Sequence, residues 1–358
     1  MPSELSLRKR IALEAARQIR KNNIALHPLR QLFWECTLRC NLRCRHCGSD
    51  CRATSGQPDM ALDEFLSVVD SITPHVNPHE VNIILTGGEP LLRADLEECG
   101  QALHDKGYPW GVVTNGWLLT PSRLNSLLQA GMNAMTVSLD GFEAEHNWLR
   151  GDDQSFVRAS EAIRLLGQTD GLLWDVVSCI HHRNIHQLIP LRNYLVNLGV
   201  RNWRISTVFP VGRAAQEPDL QLSGAELRTL MEFIRKMRHE GGLHIDFACE
   251  GFLGNYEGEV RDHFFSCNAG ICIASVLADG SISACPSIRS NFSQGNIRHD
   301  NFMDVWQHRF LPFRDRAWAR RDDCAHCSMF RYCEGNGLHL RDSQGHLLAC
   351  HYRKMQQD

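Results

Sequence analysis

The chain has 358 residues and a mass of 40.7 kDa, with 43% hydrophobic and 22% charged residues and a formal net charge of -3. That length buries a full core and allows one large α/β domain with a smaller appendage, which excludes a small stapled module. The charge gives no electrostatic footing for nucleic acid or an anionic membrane, and no apolar run approaches the roughly 20 residues that span a bilayer.

In chain order, Met1 to Arg20 has a charged helical pattern without a signal-peptide core. Residues 1–30 therefore read as a helical extension, and the protein as cytoplasmic. From Gln31 to Arg213, short β-branched runs alternate with amphipathic stretches, the pattern of repeated βα units around a parallel sheet. The strand candidates are Gln31–Thr37, Glu80–Gly87, Pro109–Asn115, Ala134–Asp140, Leu172–Ile180 and Trp203–Phe209, six in all. Leu62–Ile72, Ala94–Lys106, Pro121–Ala130 and Leu188–Leu198 read as helices between them, several ending on glycine. Cys40, Gly87, Asn115 and Asp140 all follow strand candidates, so one sheet end can gather them. A helix over Glu226–His239 then leads to a short apolar stretch, His244–Ala248. A boundary near Glu217–Ser223 divides the rest into domains 31–216 and 217–358.

Fifteen cysteines in a chain with a large core and a reducing compartment point to metal ligation rather than disulfides. Ten fall into three groups with ligand-like intervals, while Cys36, Cys51, Cys99, Cys179 and Cys249 stand outside them. The first group is Cys40-x3-Cys44-x2-Cys47, in a loop just after the first strand. Three thiolates on one loop can grip three irons of a cubane and leave the fourth open to a substrate. A zinc loop is the competing reading, although structural zinc takes four protein ligands.

This loop resembles the hallmark of the radical S-adenosylmethionine (SAM) superfamily. The resemblance implies an α/β fold, a partial (β/α)6 barrel, and a [4Fe–4S] cluster that cleaves SAM to methionine and a 5′-deoxyadenosyl radical. His46 stands where the family usually has an aromatic residue. Thr86-Gly87-Gly88-Glu89-Pro90 matches the family's GGEP element, in which Gly87, Gly88 and Glu89 bind the SAM amino group. Paired glycines let backbone approach a ligand closely. Ser138-Leu139-Asp140-Gly141 with His146 and Arg150 resembles a further segment, in which Ser138 helps hold SAM and Arg150 pairs with its carboxylate. Asn115 is a second-tier contact or a turn-forming Asn-Gly pair. Arg204 either reaches SAM or forms a salt bridge at the barrel edge.

Downstream, Cys267, Cys272, Gly280 and Cys285, then Cys324-x2-Cys327-x5-Cys333 and Cys350, resemble the small cysteine-rich C-terminal SPASM domain. That domain binds two auxiliary [4Fe–4S] clusters. Cys324, Cys327, Cys333 and Cys350 would hold one, with a zinc ribbon as the competing reading. Cys267, Cys272 and Cys285 would hold the other, but Gly337 stands where the pattern expects its last cysteine. Water, another side chain, a displaced cysteine or substrate would fill that position. Cys249 is a candidate cluster ligand or hydrogen donor to a product radical, or a free core cysteine. Cys36 and Cys51 flank the first loop and could support it, whereas Cys99 and Cys179 read as packing, and His181-His182 as surface or core.

By resemblance, the function is hydrogen abstraction from a peptide or small protein by a maturase. Sulfatase-maturase-like oxidation of Cys or Ser is an alternative, weakened because Cys285 is followed by Pro286-Ser287-Ile288. Small-molecule dehydrogenation or epimerisation is another, and a non-catalytic iron–sulfur electron-transfer module is the reading from a different class. The implied partners are the substrate and a one-electron reductant such as flavodoxin or ferredoxin; since about 30 residues before the barrel are too few for a winged-helix leader-binding domain, a separate leader-binding protein or the barrel's own surface would recognise a leader.

Overall fold

A computed structural model describes residues 5–288 and 292–357. The six expected strands all form, with ends shifted by a few residues: β1 (Gln31–Thr37), β2 (Asn82–Gly87), β3 (Trp110–Thr114), β4 (Met132–Ser138), β5 (Leu173–Ile180) and β6 (Asn202–Thr207). Between them run α2 (Leu62–Ile72), α3 (Leu96–Asp105), α4 (Pro121–Gln129), α5 (Glu143–Arg150), α6 (Ser155–Gly167) and α7 (Leu188–Asn197), following α1 (Leu7–Leu26). Helix α2 shows why periodicity suffices here. Phe65, Val68, Val69 and Ile72 recur at helical spacing and are buried, and Phe65 stacks on Trp34 of β1 with ring centroids 4.2 Å apart.

The sheet is larger than six strands. A Ser223–Glu226 capping box starts α8 (Gly224–Glu240), which leads into β7 (His244–Phe247), and β7 pairs parallel with β6. The parallel sheet thus runs on past the boundary expected at Glu217–Ser223. From the cysteine-rich region, β8 (Ile273–Val276) pairs parallel with the other side of β1, and β9 (Ser281–Ser283) and β10 (Gly295–Asn296) follow antiparallel. One ten-stranded sheet results, in the order β10-β9-β8-β1-β2-β3-β4-β5-β6-β7. The two cysteine-bearing regions therefore share backbone hydrogen bonds instead of meeting only through side chains.

Helix α1 docks on the C-terminal region. Lys9 Nζ donates to the Glu257 carbonyl at 2.6 Å and to Glu259 at 3.0 Å, Arg331 pairs with Glu14 at 2.5 Å, and buried Arg20 donates to the Tyr332 carbonyl. No helix among the described residues is long and apolar enough to cross a membrane.

Candidate metal centres

The carboxyl end of β1 opens into the loop that carries Cys40, Cys44 and Cys47, and one contact within the loop and two distant segments fix it. Cys40 N–H donates to the Arg52 carbonyl at 2.8 Å, closing the loop on itself, while Arg45 N–H donates to the Leu149 carbonyl of α5 at 2.8 Å. After β6, Arg213 Nε donates to the Cys44 carbonyl at 2.8 Å, its Nη1 pairs with Asp50 at 2.6 Å, and its N–H donates to the Cys47 carbonyl. Gly212 must be glycine for this approach: φ is +62°, and a Cβ there would lie 2.5 Å from the Cys47 carbonyl oxygen. Cys40 is buried, and Cys44 and Cys47 are half-buried. A hydrogen bond from the Cys51 thiol holds the Cys47 thiol well below the usual range, which favours the thiolate that binds metal. Burial pushes the Cys44 thiol up, and Arg150, whose Nη1 stands 3.9 Å from its sulfur, opposes that shift.

The paired glycines at the end of β2 permit a close approach of two stretches of main chain. A Cβ on Gly87 would meet the Thr37 carbonyl oxygen at 2.1 Å, and one on Gly88 the Arg39 carbonyl oxygen at 2.1 Å. The main chain comes this close because Gly88 N–H donates to Thr37 and Glu89 N–H to Arg39, at 2.8 and 2.9 Å. The glycines let two protein strands approach, one of them the root of the cysteine loop. Gly88→Ala is accordingly expected to cost about 1–3 kcal/mol by overpacking and to lower the iron bound per chain. Gly48→Ala, with nothing within 4 Å of its added Cβ, is the matched control. Equal iron content in the two variants would remove this role.

Glu89 is fully buried and is spent mainly on the protein. Its carboxylate accepts from Thr114 Oγ1 at 2.7 Å, from Asn115 N–H at 2.8 Å and from Leu91 N–H at 3.1 Å. It thus joins the ends of β2 and β3. Asn115 forms the expected turn, its Oδ1 accepting from Trp117 N–H, and its Nδ2 donates to Asn41 of the cysteine loop at 2.9 Å.

At the ends of β4 and β5 lies a buried charged group. Ser138 ends β4 and is buried. Asp140 accepts from Arg150 Nε at 2.6 Å and from Cys179 N–H at 2.8 Å, and its own N–H donates to His146 Nδ1. Burial works against the Asp140 charge, but Arg150 holds its carboxyl well below the usual carboxylate range. His46 and His146 stay neutral, brought down by burial to about 3 and about 4. Cys179 packs, as expected, against the apolar cluster of Leu149, Val208, Ala214 and Leu220, and its sulfur also lies with His46 and Asp140, their ligand atoms mutually within 4.8 Å. Arg204 takes the salt-bridge role, pairing with Asp175 at 3.0 Å. Of the histidine pair, His181 is buried, while His182 is exposed and pairs with Glu226 at 2.6 Å.

The donors fit a cubane and a polar ligand beside it. Among the described residues, no cysteine trio of any group has its sulfurs mutually within 4.8 Å, whereas tetrahedral zinc with bonds of about 2.3 Å sets its sulfurs about 3.8 Å apart. At the mouth, Asn41 Nδ2 and His46 Nδ1 are buried without a hydrogen-bond partner, which leaves polar atoms for a bound group. A cavity of about 600 Å³ opens at the opposite end of the sheet, lined by Asp175, Arg201 and Asn202 among others, and touches none of these groups.

In the C-terminal region, Cys324, Cys327, Cys333 and Cys350 line one cavity with Phe252 and Tyr352. Burial and the other three thiols push Cys333 up to about 12, and buried Arg341 donates to the Cys324 sulfur at 3.5 Å. Cys267 is held low, against its burial, by Arg316. Cys285 is pushed up to about 12 by burial and by the neighbouring Cys249 and Cys267. Cys272 precedes β8, one residue before Ile273, and its charged neighbour is Arg30. Cys36 and Cys99 are buried beside Arg93, whose Nη1 donates to the Cys36 carbonyl at 2.7 Å. Arg213, Gly212 and Cys51 are the supporting residues whose part sequence patterns did not specify; only their place at the loop or at the end of the last barrel strand hinted at it.

Residues 34–195 match the radical SAM superfamily, and residues 267–328 match SPASM, an iron-sulfur cluster-binding domain. A mycofactocin maturase, MftC, from Mycolicibacterium smegmatis is 30% identical over 321 residues, covering 85% of this chain and 76% of that protein. An AdoMet-dependent heme synthase from Nitratidesulfovibrio vulgaris is 24% identical over 344 residues, covering 90% and 92%. The crystal structure of Streptococcus suis SuiB bound to S-adenosylmethionine shares the fold at a TM-score of 0.68 and 16% identity, covering 94% of this chain and 80% of that one.

Proposed function

Because the chain belongs to the radical SAM superfamily and carries a SPASM domain, we propose that it abstracts hydrogen from a peptide or small protein to modify it after translation. The observation that carries the substrate class is the 30% identity to a peptide-maturation enzyme across most of the chain. When bound, the cluster and SAM supply a 5′-deoxyadenosyl radical by one-electron cleavage of the sulfonium.

The protein's own residues do the placing. Cys40, Cys44 and Cys47 present three thiolates from a loop clamped by Arg213 and Arg45. Arg150, fixed by Asp140, sets a positive charge beside Cys44, and Ser138, Asn115 and the Gly87–Glu89 turn shape the wall that faces SAM. Glu89 acts through Asn115, which it orients. Cys324, Cys327, Cys333 and Cys350 hold one auxiliary cluster, and Cys267, Cys272 and Cys285 anchor the other. A flavodoxin or ferredoxin supplies the electron.

Heme synthases of comparable length are also relatives, and they favour a second reading in which a heme precursor is the substrate. Anaerobic incubation with SAM and dithionite, following 5′-deoxyadenosine by mass spectrometry, separates the two. Acceleration by a small peptide encoded beside the gene, with mass loss or crosslinking in that peptide, is the expected result. Acceleration by an iron porphyrin and by no such peptide would move the assignment to the second reading, and cleavage under no condition would revive the electron-transfer module.

A further inference from the structure

We propose that Cys249 is the fourth protein ligand of the first auxiliary cluster, joining Cys267, Cys272 and Cys285 in place of the cysteine absent at position 337. The inference rests on the iron–sulfur reading of the SPASM domain and goes beyond it in naming a ligand that the domain's cysteine pattern does not contain.

The backbone around Gly337 shows why a side chain there is not used. Glu334, Gly335 and Asn336 are successively left-handed, with φ of +47°, +82° and +77°, so the chain twists sharply just before it. Asn336 is then tied down, its carbonyl accepting from Arg316 Nη1 and its Oδ1 from Phe252 N–H. A Cβ on Gly337 would stand 2.6 Å from the Glu250 carbonyl oxygen. The chain that carries Cys249 therefore fills the space where a side chain at 337 would begin.

That segment is rigid. Ala248 N–H donates to the Ile205 carbonyl at 2.8 Å, continuing the β6–β7 pairing. Glu250 is buried, and its carboxylate accepts from Thr207 N–H at 2.6 Å and from Thr207 Oγ1 at 2.5 Å. Between these anchors the Cys249 thiol is held in one place, exposed at its surface. Arg316 joins this place to the first thiol of the group, its Nη1 donating to the Asn336 carbonyl at 3.1 Å and its Nη2 to the Cys267 carbonyl at 3.3 Å. Cys285 in turn feels both Cys249 and Cys267. Cys272 directly precedes β8, and Cys285 lies two residues beyond the end of β9, whose Ser283 pairs with Ser275 of β8.

A second group asks for an anion at this place. Arg261 is 1% exposed and neighbours Cys249. Its Nη2 donates to the Gly251 carbonyl at 2.9 Å and its nearest carboxylate, Glu257, is 4.0 Å away, while Nε and Nη1 have no hydrogen-bond partner. A buried guanidinium with two unspent donors is costly unless a negative group sits beside it, and a four-thiolate cubane carries net negative charge. The bond forms as the Cys249 thiol gives up its proton, with no change in oxidation state. His339 is the rival ligand: its Nε2 is buried without a partner, and its Cε1 would lie 2.7 Å from a Cβ at 337. Its ring is packed on Phe209 with centroids 4.6 Å apart, and it shares Arg316 as a neighbour with Cys267, so the test includes it.

The test uses full-length protein with Cys40, Cys44 and Cys47 all changed to Ala, which isolates the auxiliary clusters at about eight irons per chain. Adding Cys249→Ser is expected to make one iron labile, so that mild ferricyanide oxidation lowers the count to about seven and yields a three-iron cluster visible by electron paramagnetic resonance. The parent should show no such signal. An independent measurement does not depend on a variant folding: iodoacetamide should alkylate Cys249 at least tenfold more slowly in cluster-loaded wild-type protein than after chelator stripping. Equal alkylation rates, or a three-iron signal from His339→Ala and none from Cys249→Ser, would overturn the ligand assignment alone. About four irons per parent chain, or stoichiometric zinc, would overturn the auxiliary-cluster reading and the assignment with it.

Discussion

Cys44→Ala is expected to abolish 5′-deoxyadenosine formation while lowering iron only from about twelve to about eight per chain, as three four-iron clusters become two. The separation follows from the architecture. Cys44 sits in a loop held by Arg213, Arg45 and the end of β2, whereas the downstream cysteines belong to β8, β9 and the C-terminal turns. These turns are pinned by their own buried cations, Arg341 at Cys324 and Arg316 at the Cys267 carbonyl. Losing one thiolate of the first loop leaves those contacts untouched. The measurement pairs iron and sulfide analysis with mass spectrometry of anaerobic reactions. Normal SAM cleavage by the variant would refute the assignment of the loop, and loss of all twelve irons would show that the clusters assemble as one unit.

Asp140→Ala is expected to destabilise the protein by about 3–5 kcal/mol, because it strands Arg150 as a buried charge without its partner. Both side chains are nearly excluded from water, and the bond between them is 2.6 Å. The same change frees the Cys179 amide and loosens Arg150 from Cys44, so SAM cleavage should fall with stability. Replacing both partners, as Asp140→Ala with Arg150→Met, should restore most of the thermal stability, since the stranded charge is gone, and leave cleavage lost. That split between stability and activity is the readout that a purely structural pair would not give. Thermal unfolding of the loaded protein checks the first effect and deoxyadenosine formation the second. Full activity in the double variant would show that the pair serves folding alone.

The three cysteine groups, the helical periods and the six strands of the first domain were legible because each is a local property of the chain: ligand spacing within one loop, or apolar residues recurring at the pitch of one element. Belonging to a superfamily was legible for the same reason, since the Cys40–Cys47 loop and the Gly87–Glu89 turn are short contiguous patterns. What the paired glycines are for was not legible. A ligand or a neighbouring strand can equally require them, and the approach of Thr37 and Arg39, some fifty residues earlier in the chain, carries no local signal. Cys179 read as strand packing because alternation says which face a side chain takes, not what stands opposite that face. His46 and Asp140 reach it from other elements. The same holds for Arg213 on the Cys44 carbonyl, for β8 beside β1, and for Cys249 beside Cys267 and Cys285. Sequence by itself determined that ten cysteines fall into three groups with ligand-like spacing, and in which loops. Tertiary structure alone decided which charges and carbonyls surround them, because those contacts join segments whose separation along the chain carries no periodic signal.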